Sequence, residues 1–299
     1  MKILVIGATG YIGSAVAEAL AAAGRQVLGL SRSAASDARL AAFGIEPVRG
    51  ALDEPGRLAQ LTAGVDAVVW AATANREDVD APAIDATLAE LVGTRKTFLY
   101  TSGTWVHGAT HGAVADEESL LAPAAIVAWR VAVERRVLAT PGIRAIVIRP
   151  GIVYGSGGGI PALLTASVRE HGAVRFVGNG ENRWAVVFRA DLAELYVRAL
   201  ADAPAGSVFI GAQGTSDRVL DLARAASTGQ GCGGHVVAWP IEQARRELGA
   251  FADALALEQR VSSARAHRLL GWNPVGPSIL DELSRGSYAN AARTAGGWS

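Results

Sequence analysis

The middle of the chain holds side chains whose types and spacing suit acid–base chemistry. Ser102, Thr104 and His107 lie close together after an apolar segment, and Tyr154 follows a later one. Histidine donates or accepts a proton near neutral pH, and hydroxyl groups hydrogen-bond to a carbonyl oxygen. We therefore predict that these four residues are catalytic, with a packing or loop role as the alternative for each. The side chains predicted to line the same cavity and contact a substrate are Trp105, Asn182, Arg183 and Trp184.

A glycine pattern near the start of the chain predicts a phosphate-binding loop. Gly7, Gly10 and Gly13 form G-x-x-G-x-x-G between an apolar segment and an Ala-rich segment of helical pattern. Such glycines let backbone N–H groups at a helix N-terminus approach a pyrophosphate closely. An ordinary glycine-rich turn is the alternative. The residues predicted to contact a dinucleotide cofactor are Gly7, Thr9, Gly10, Tyr11, Ile12 and Gly13 and, after later strands, Ala71 and Pro150.

The end of the second predicted strand indicates which dinucleotide binds. A site for NAD usually places Asp or Glu there to accept hydrogen bonds from the ribose 2′-hydroxyl. The chain has Ser31 and Arg32 instead, and no acidic residue follows before Asp37. An arginine fork and a hydroxyl group fit a 2′-phosphate. We predict NADP as the cofactor and keep NAD as the alternative; a solvated surface arginine is the interpretation that involves no cofactor.

Two other kinds of site are disfavoured. His107 and His111 have the i, i+4 spacing of a metal-binding pair on a helix, but Gly108 and Gly112 argue against a helix there. We therefore predict no metal site. Ser102 does not lie in the G-x-S-x-G context of a hydrolase nucleophile, which argues against hydrolase chemistry.

An α/β fold must position these residues. Apolar segments of strand length alternate with segments of helical pattern as far as Pro150, which is typical of βαβ units. We predict a Rossmann-type doubly wound parallel sheet with a smaller, discontinuous C-terminal substrate lobe. The predicted strands lie near residues 3–6, 27–30, 45–48, 67–70, 97–100 and 143–148, and the predicted helices near 12–23, 37–43, 55–62, 81–92 and 121–139.

The character of the sequence changes after Pro150, because residues 155–159 are nearly all glycine and the regular alternation ends. The tail from about residue 288 is small and polar, and we expect it to fray. The predicted division assigns residues 1–154, with returning segments near 183–212, to a dinucleotide-binding domain, and residues 155–182 and 213–299 to the smaller lobe.

The composition excludes several classes of protein. The 299 residues carry 28 Lys and Arg against 28 Asp and Glu, so the formal net charge is zero. A neutral chain without a basic run is not drawn to nucleic acid or to an anionic membrane surface. One cysteine, Cys232, excludes an internal disulfide and suits a reducing compartment. No apolar stretch approaches the roughly 20 residues that span a bilayer. We expect a cytoplasmic protein that binds a small-molecule substrate, with no nucleic-acid or membrane partner.

Short motifs are spread along most of the chain. They are residues 7–13 (GATGYIG), 100–108 (YTSGTWVHG), 116–117 (DE), 149–155 (RPGIVYG), 191–193 (DLA) and 270–274 (LGWNP). Together these motifs resemble those of the extended and atypical short-chain dehydrogenases/reductases, the NAD-dependent epimerase/dehydratase family.

The resemblance implies a catalytic pair that this sequence lacks. In that family a Tyr-x-x-x-Lys pair lies on one helix face: the lysine lowers the tyrosine pKa and holds the nicotinamide ribose, and the tyrosine moves the proton. The two lysines here are Lys2 and Lys96, and neither follows a tyrosine by four residues. Matching the helix by Glu134 puts Ile126 and Arg130 at the two positions. Arg130 is therefore expected to hold the ribose, whereas Ile126 cannot transfer a proton.

We expect an NADP-dependent oxidoreductase that acts on a small-molecule carbonyl, imine or enone through a non-standard proton donor. The alternatives are an NADP-binding isomerase, cyclase or dehydratase without net redox, and a non-catalytic NADP-binding sensor protein. The resemblance also implies a homodimer that forms through the helices near residues 82–93 and 121–139.

Overall fold

Strands and helices alternate regularly through the first half of the chain. The computed structural model describes residues 1–214 and 216–289. None of the helices in these ranges is long and apolar enough to cross a membrane. The strands are β1 (Lys2–Ile6), β2 (Gln26–Ser31), β3 (Glu46–Arg49), β4 (Ala67–Trp70), β5 (Thr97–Thr101), β6 (Arg144–Pro150), β7 (Ile152–Tyr154), β8 (Val174–Val177), β9 (Arg183–Phe188), β10 (Ser207–Gly211), β11 (Ser216–Arg218) and β12 (Val236–Trp239). The helices are α1 (Tyr11–Ala22), α2 (Ala34–Ala42), α3 (Pro55–Ala63), α4 (Glu77–Leu91), α5 (Ala128–Ala139), α6 (Ala162–His171), α7 (Arg189–Asp202), α8 (Val219–Gly229), α9 (Ile241–Leu248), α10 (Ala250–Leu255), α11 (Ala264–Leu270) and α12 (Ile279–Ser284), with short 3₁₀ turns at Thr104–His107 and Ala125–Val127.

A seven-stranded sheet forms the centre of the fold, in the order β10-β6-β5-β4-β1-β2-β3. Every neighbouring pair in it is parallel. The strand order reverses between β1 and β4, so the segments that follow these two strands open a crevice at the carboxyl edge of the sheet. The predicted Rossmann-type doubly wound parallel sheet is confirmed.

Helices cover both faces of this sheet because its central strands are apolar on both faces. In β1, Ile3 and Val5 pack into a core that includes side chains of α1 and α7. Leu4 and Ile6 point the other way, into a core with side chains of α3, α4 and α5. Successive side chains of a strand alternate between faces, so an uninterrupted apolar run supplies both cores at once.

The later part of the chain builds a separate apolar core on two smaller sheets. β7, β9 and β11 form a three-stranded sheet, and β8 pairs with β12. Their apolar side chains pack with those of α6, α8, α9, α10 and α12. The residue boundaries that divide the chain into a dinucleotide-binding domain and a smaller lobe stay a prediction.

The predicted helix over residues 121–139 is wrong in its first third. α5 begins at Ala128, after irregular backbone and the 3₁₀ turn Ala125–Val127. Pro123 lacks an N–H and disfavours helical backbone at the residue before it. The N–H of Ala124 donates instead to the carbonyl oxygen of Trp105 (3.0 Å). This bond ties the segment to the turn that follows β5.

The start of the predicted fraying tail is also corrected. Tyr288 is fully buried, and its hydroxyl donates to the carbonyl oxygen of Gly158 (2.6 Å) and accepts from the N–H of Gly155 (2.8 Å). The two bonds hold residue 288 against the glycine-rich segment 155–159. Residues 290–299 of the predicted tail lie outside the described residues.

Candidate functional site

The glycine loop after β1 has the geometry that a dinucleotide pyrophosphate requires. Gly7 has a φ of 96°, and a Cβ there would lie 2.7 Å from the backbone of Ala71. A Cβ on Gly13 would lie 2.1 Å from the carbonyl oxygen of Gly7, so only glycine fits at these two positions. α1 begins at Tyr11 without a side-chain cap or an acidic residue in its first turn, which leaves its first amides to an anion. The residues present therefore fit a bound dinucleotide.

Arg189, at the start of α7, holds this loop in place, which sequence reasoning missed. Its Nε donates to the carbonyl oxygen of Tyr11 and its Nη2 to the hydroxyl of Ser14, both at 2.7 Å. The Tyr11 hydroxyl in turn donates to the carbonyl oxygen of Gly155 (2.6 Å). Burial raises the pKa of Tyr11 to about 12, so it stays neutral and positions the loop. Inside the loop, the N–H of Gly10 donates to the carbonyl oxygen of Gly7 (2.8 Å), and Thr9 lines a small neighbouring cavity with Ser14 and Arg189.

The end of β2 differs from the prediction at Ser31. This residue is 1% exposed, and its hydroxyl donates to a carboxylate oxygen of Asp37 (2.6 Å). Asp37 also forms an ion pair with Arg49 (2.6 Å). The Ser31 hydroxyl is therefore not available to a 2′-phosphate, because the first turn of α2 brings Asp37 back to the strand end. Arg32 is exposed and, within the residues that the structure describes, forms no ion pair.

A cavity of about 580 Å³ lies between the glycine loop and the carboxyl ends of β5 and β6. We call it the central cavity. The predicted site residues that line it are Tyr11, Ile12, Ser102, Thr104, Trp105, Arg130 and Pro150. Asn75, Ile160 and Phe251 line it as well and were missed. In the structure Asn75 has a φ of 55°, a conformation that asparagine tolerates, whereas the position of the other two depends on how the later part of the chain packs.

Hydroxyl groups and a guanidinium are the main polar side chains that the predicted set brings to the central cavity. The Ser102 Oγ is buried and has no hydrogen-bond partner among the described residues. Thr104 donates to Oε1 of Gln259 (3.2 Å), and Arg130 donates from Nη1 to the carbonyl oxygen of Thr101 (3.1 Å). A buried polar atom left unpaired costs about 1–3 kcal/mol, so a ligand that bonds to Ser102 recovers that energy. In the described part of the chain, no group of three His, Cys, Asp or Glu residues is placed to hold a metal ion.

The two positions that the resemblance assigns to tyrosine and lysine both face the central cavity. They carry Ile126 and Arg130. Arg130 supplies a permanent positive charge and hydrogen-bond donors, but neither side chain exchanges a proton near neutral pH. Lys96 lies elsewhere, since its Nζ donates to the carbonyl oxygen of Ala63 (2.8 Å). Lys2 is the first residue of β1, at the opposite end of that strand from the glycine loop, so neither lysine takes the missing position.

His107 does not line the central cavity, contrary to its predicted catalytic place. It is 3% exposed, and Arg149 donates from Nη1 to its Nε2 (3.3 Å). Arginine only donates, so Nε2 accepts and the ring proton lies on Nδ1, which is buried without a partner in the described chain. Burial, followed by the charge of Arg149, lowers the pKa of His107 to about 4. Arg149 is held in turn by the buried carboxylate of Glu134 (2.6 Å). The histidine is thus neutral and enclosed.

Four further predicted residues also lie outside the lining of the central cavity. Their polar groups are bonded within the later part of the chain, and burial raises the pKa of Tyr154. The Tyr154 hydroxyl lies 2.6 Å from both Oε1 of Gln213 and the carbonyl oxygen of Pro277. The Asn182 side chain donates to the carbonyl oxygens of Leu255 (3.0 Å) and Leu257 (3.1 Å). Arg183 donates to the carbonyl oxygen of Ser216 (2.7 Å), and Trp184 donates to the carbonyl oxygen of Leu255 (2.9 Å).

Comparisons with known proteins agree with this geometry. The family model described as "NAD dependent epimerase/dehydratase family" matches residues 3–211. An uncharacterised protein of Schizosaccharomyces pombe is 30% identical over 298 residues, which cover 96% of this chain and 100% of that protein. The 2-alkyl-3-oxoalkanoate reductase of Stenotrophomonas maltophilia is 30% identical over 202 residues, which cover 61% of this chain and 60% of the reductase.

A similar solved structure is the dTDP-glucose 4,6-dehydratase of Streptomyces venezuelae, which has NAD bound. It matches with a TM-score of 0.79 at 22% identity, and the match covers 98% of each chain. At this identity the likeness concerns the fold, and it extends over the large sheet and the later part of the chain together.

Proposed function

The chain belongs to the NAD-dependent epimerase/dehydratase family, and from this premise we propose that it is an NADP-dependent oxidoreductase with a non-standard proton donor. Its substrate is a small molecule with a carbonyl, imine or enone group. One observation carries the proposal: a single cavity joins the dinucleotide loop, through Tyr11 and Ile12, to Ser102, whose buried hydroxyl has no partner among the described residues. The relative named as a 2-alkyl-3-oxoalkanoate reductase supports carbonyl reduction.

Ser102 orients the reacting group in this proposal. When bound, a reduced nicotinamide supplies a hydride to the carbonyl carbon, and the carbonyl oxygen then takes a proton. The Ser102 hydroxyl hydrogen-bonds to that oxygen and passes it a proton, which the hydroxyl regains from water. Arg130 keeps a positive charge at the same cavity and stabilises the negative charge that develops on the oxygen. Because Ile126 cannot move a proton, most of the rate enhancement comes from holding the substrate in the orientation that the reaction requires.

Arg32 supports NADP as the cofactor. Its exposed guanidinium follows β2, where the adenosine ribose of a Rossmann dinucleotide lies. Asp37, the acid nearest to this point in the sequence, already accepts from Ser31 and pairs with Arg49. The carboxylate is therefore engaged and does not compete for the ribose, which leaves Arg32 to bind a 2′-phosphate.

The lining of the central cavity bears on the two alternative functions, a non-redox enzyme and a non-catalytic sensor. Its described lining contains no His, Asp or Glu, so an isomerase, cyclase or dehydratase would lack a general base there. A non-catalytic sensor of NADP needs only a shallow cleft, whereas this cavity of about 580 Å³ extends from the dinucleotide loop to Ser102 and Phe251. Reduction is the chemistry that these lining residues fit best.

The test follows NADPH absorbance with a panel of aldehydes, ketones, imines and enones. Ser102→Ala is expected to lower kcat about 100-fold while the Kd for NADPH stays unchanged, because the hydroxyl contacts only the reacting oxygen. Ser207→Ala, at the far edge of the sheet, is the control and should behave as the wild type. Tight NADPH binding without turnover of any compound would overturn the reductase proposal in favour of the sensor.

Two further parts of the proposal concern the whole protein. A homodimer forms through α4 and α5, and the protein acts in the cytoplasm. Light scattering should give twice the chain mass of 30.8 kDa. A mass of one chain at micromolar concentration would remove the dimer from the proposal.

A further inference from the structure

A second cavity, of about 240 Å³, lies in the later part of the chain and takes no part in the proposed proton transfer. We call it the annex. Its walls come from α6, β8, β12 and the α9–α10 region. A dry cavity of about 150 Å³ is already large enough for benzene. The apolar side chains that dominate the lining include Leu163, Leu164, Phe176, Trp184, Leu248 and Leu255.

Ile160 forms part of the wall of both the annex and the central cavity. It follows directly on the glycine-rich segment 155–159, which Tyr11 and Tyr288 hold through hydrogen bonds. Ile160 is therefore a wall that the two cavities share, and a ligand whose reacting group lies at Ser102 would enter the annex where this side chain moves aside.

The charged groups at the annex leave it without a net positive charge. Arg175 lies over the ring of Trp239, with its guanidinium carbon 4.1 Å from the ring centre, and its Nη1 lies 2.6 Å from Nε2 of His171. Glu170 and Glu247 line the same cavity. With two carboxylates beside one permanent cation, the annex offers no net attraction to a diphosphate or a carboxylate. Its chemistry suits a neutral group.

Trp239 supplies one unused hydrogen-bond donor. Its Nε1 is buried and has no partner among the residues described, whereas Nε1 of Trp184 donates to the carbonyl oxygen of Leu255 (2.9 Å). An indole nitrogen only donates. A neutral acceptor oxygen on a ligand in the annex would satisfy it.

From these contacts we propose that the annex binds the apolar alkyl or aryl part of the substrate, with at most a neutral acceptor oxygen, while the reacting carbonyl lies at Ser102. This inference rests on the proposed reductase function and names its substrate class. The class is that of elongated, neutral carbonyl compounds rather than nucleotide-linked sugars.

The experiment separates binding from turnover. Calorimetry measures the Kd of straight-chain methyl ketones, from butan-2-one to decan-2-one, for the protein saturated with oxidised NADP. Each added methylene is expected to lower the Kd by about fourfold until the annex is filled. NADPH oxidation by the same ketones is measured in parallel, and kcat/KM should rise with the same chain-length dependence.

A matched pair of variants on α6 tests whether the chain-length dependence of binding arises in the annex. Leu163→Gln puts a polar side chain in the wall of the annex at a half-exposed position, so the fold should tolerate it. It is expected to raise the Kd of decan-2-one about fivefold and to leave that of butan-2-one unchanged. Arg169→Gln introduces the same residue at an exposed position outside the annex and should change neither.

The outcomes distinguish the two proposals. Chain-length-dependent binding that Leu163→Gln weakens supports the annex even if no ketone oxidises NADPH, in which case only the reductase function fails. NADPH oxidation with Kd and kcat/KM independent of chain length, or equal effects of Leu163→Gln and Arg169→Gln, overturns the annex and leaves the reductase function standing.

Discussion

Ser102 and His107 follow the same strand, β5, and each has a buried polar atom without a partner among the described residues. Only Ser102 lines the central cavity, whereas His107 packs against Arg149, which Glu134 holds from α5. Ser102 therefore lies at the cavity with its hydroxyl just beneath the surface, whereas the histidine is enclosed away from it. At the residue scale, access to the cavity decides which of two chemically suitable groups is available for catalysis.

Replacing His107 with glutamine should remove a pH-dependent part of the stability. The pKa of His107 is about 4 in the folded protein against 6.5 as its ordinary value, so the unfolded chain binds more protons between these two values. The free energy of unfolding is therefore not reduced by this histidine above pH 6.5. It falls as the pH drops towards 4, by up to about 3 kcal/mol, because the unfolded chain takes up the proton that the buried ring does not. Urea unfolding at about pH 7.5 and about pH 4.5 measures this loss. An equal loss in the wild type and in His107→Gln would contradict a buried, neutral histidine.

Arg32→Ala should lower the affinity for NADPH about tenfold and leave the affinity for NADH unchanged, because only the 2′-phosphate needs the guanidinium.

Arg49→Ala should favour the other cofactor, because it frees the carboxylate of Asp37 and so raises the affinity for NADH. Calorimetric titration of both cofactors measures the changes. Arg224→Ala, exposed on the remote helix α8, is the control. Equal affinities of the wild type for the two cofactors would refute the preference.

At the element scale, α1 depends on close contact between its first turn and the loop before it. Gly13→Ala places a Cβ 2.1 Å from the carbonyl oxygen of Gly7, so the loop must move and NADPH affinity should fall more than about tenfold. Gly56→Ala on α3 meets nothing within 4 Å and should leave binding unchanged, with stability equal or higher by up to about 1 kcal/mol. Equilibrium dialysis measures binding, and circular dichroism checks that both variants fold. Undiminished binding by Gly13→Ala would contradict the loop assignment.

The same scale shows where sequence patterns succeed and where they fail. Six of the seven strands of the large sheet are predicted within a few residues, mainly because most of them are apolar runs buried on both faces. The seventh strand, β10, is not predicted, and β3 has no fully buried residue. The predicted helix over 121–139 is too long because Pro123 disfavours helical backbone, and the N–H of Ala124 bonds to Trp105 instead.

At the scale of the whole molecule, cofactor binding should stabilise the folded chain. A ligand that binds only the folded state at 100 times its Kd adds about 2.7 kcal/mol to the free energy of unfolding. Differential scanning calorimetry with NADPH should therefore raise Tm by several degrees, and NADH at the same concentration should raise it less. Equal shifts with both cofactors would speak against the role of Arg32, and no shift with either would speak against the dinucleotide site.

The sequence by itself determined the doubly wound sheet, the glycine loop and the lack of a tyrosine–lysine pair. These depend on residue type and local order: apolar runs, glycines at fixed spacing, and two lysines that stand nowhere near the required helix position. Only the tertiary structure decided that Asp37 binds Ser31, that Arg189 holds the loop at Tyr11, and that His107 is enclosed while Ser102 faces a cavity. The physical reason is burial, because access to solvent or ligand is set by which distant elements pack over a side chain, and no local pattern records that packing.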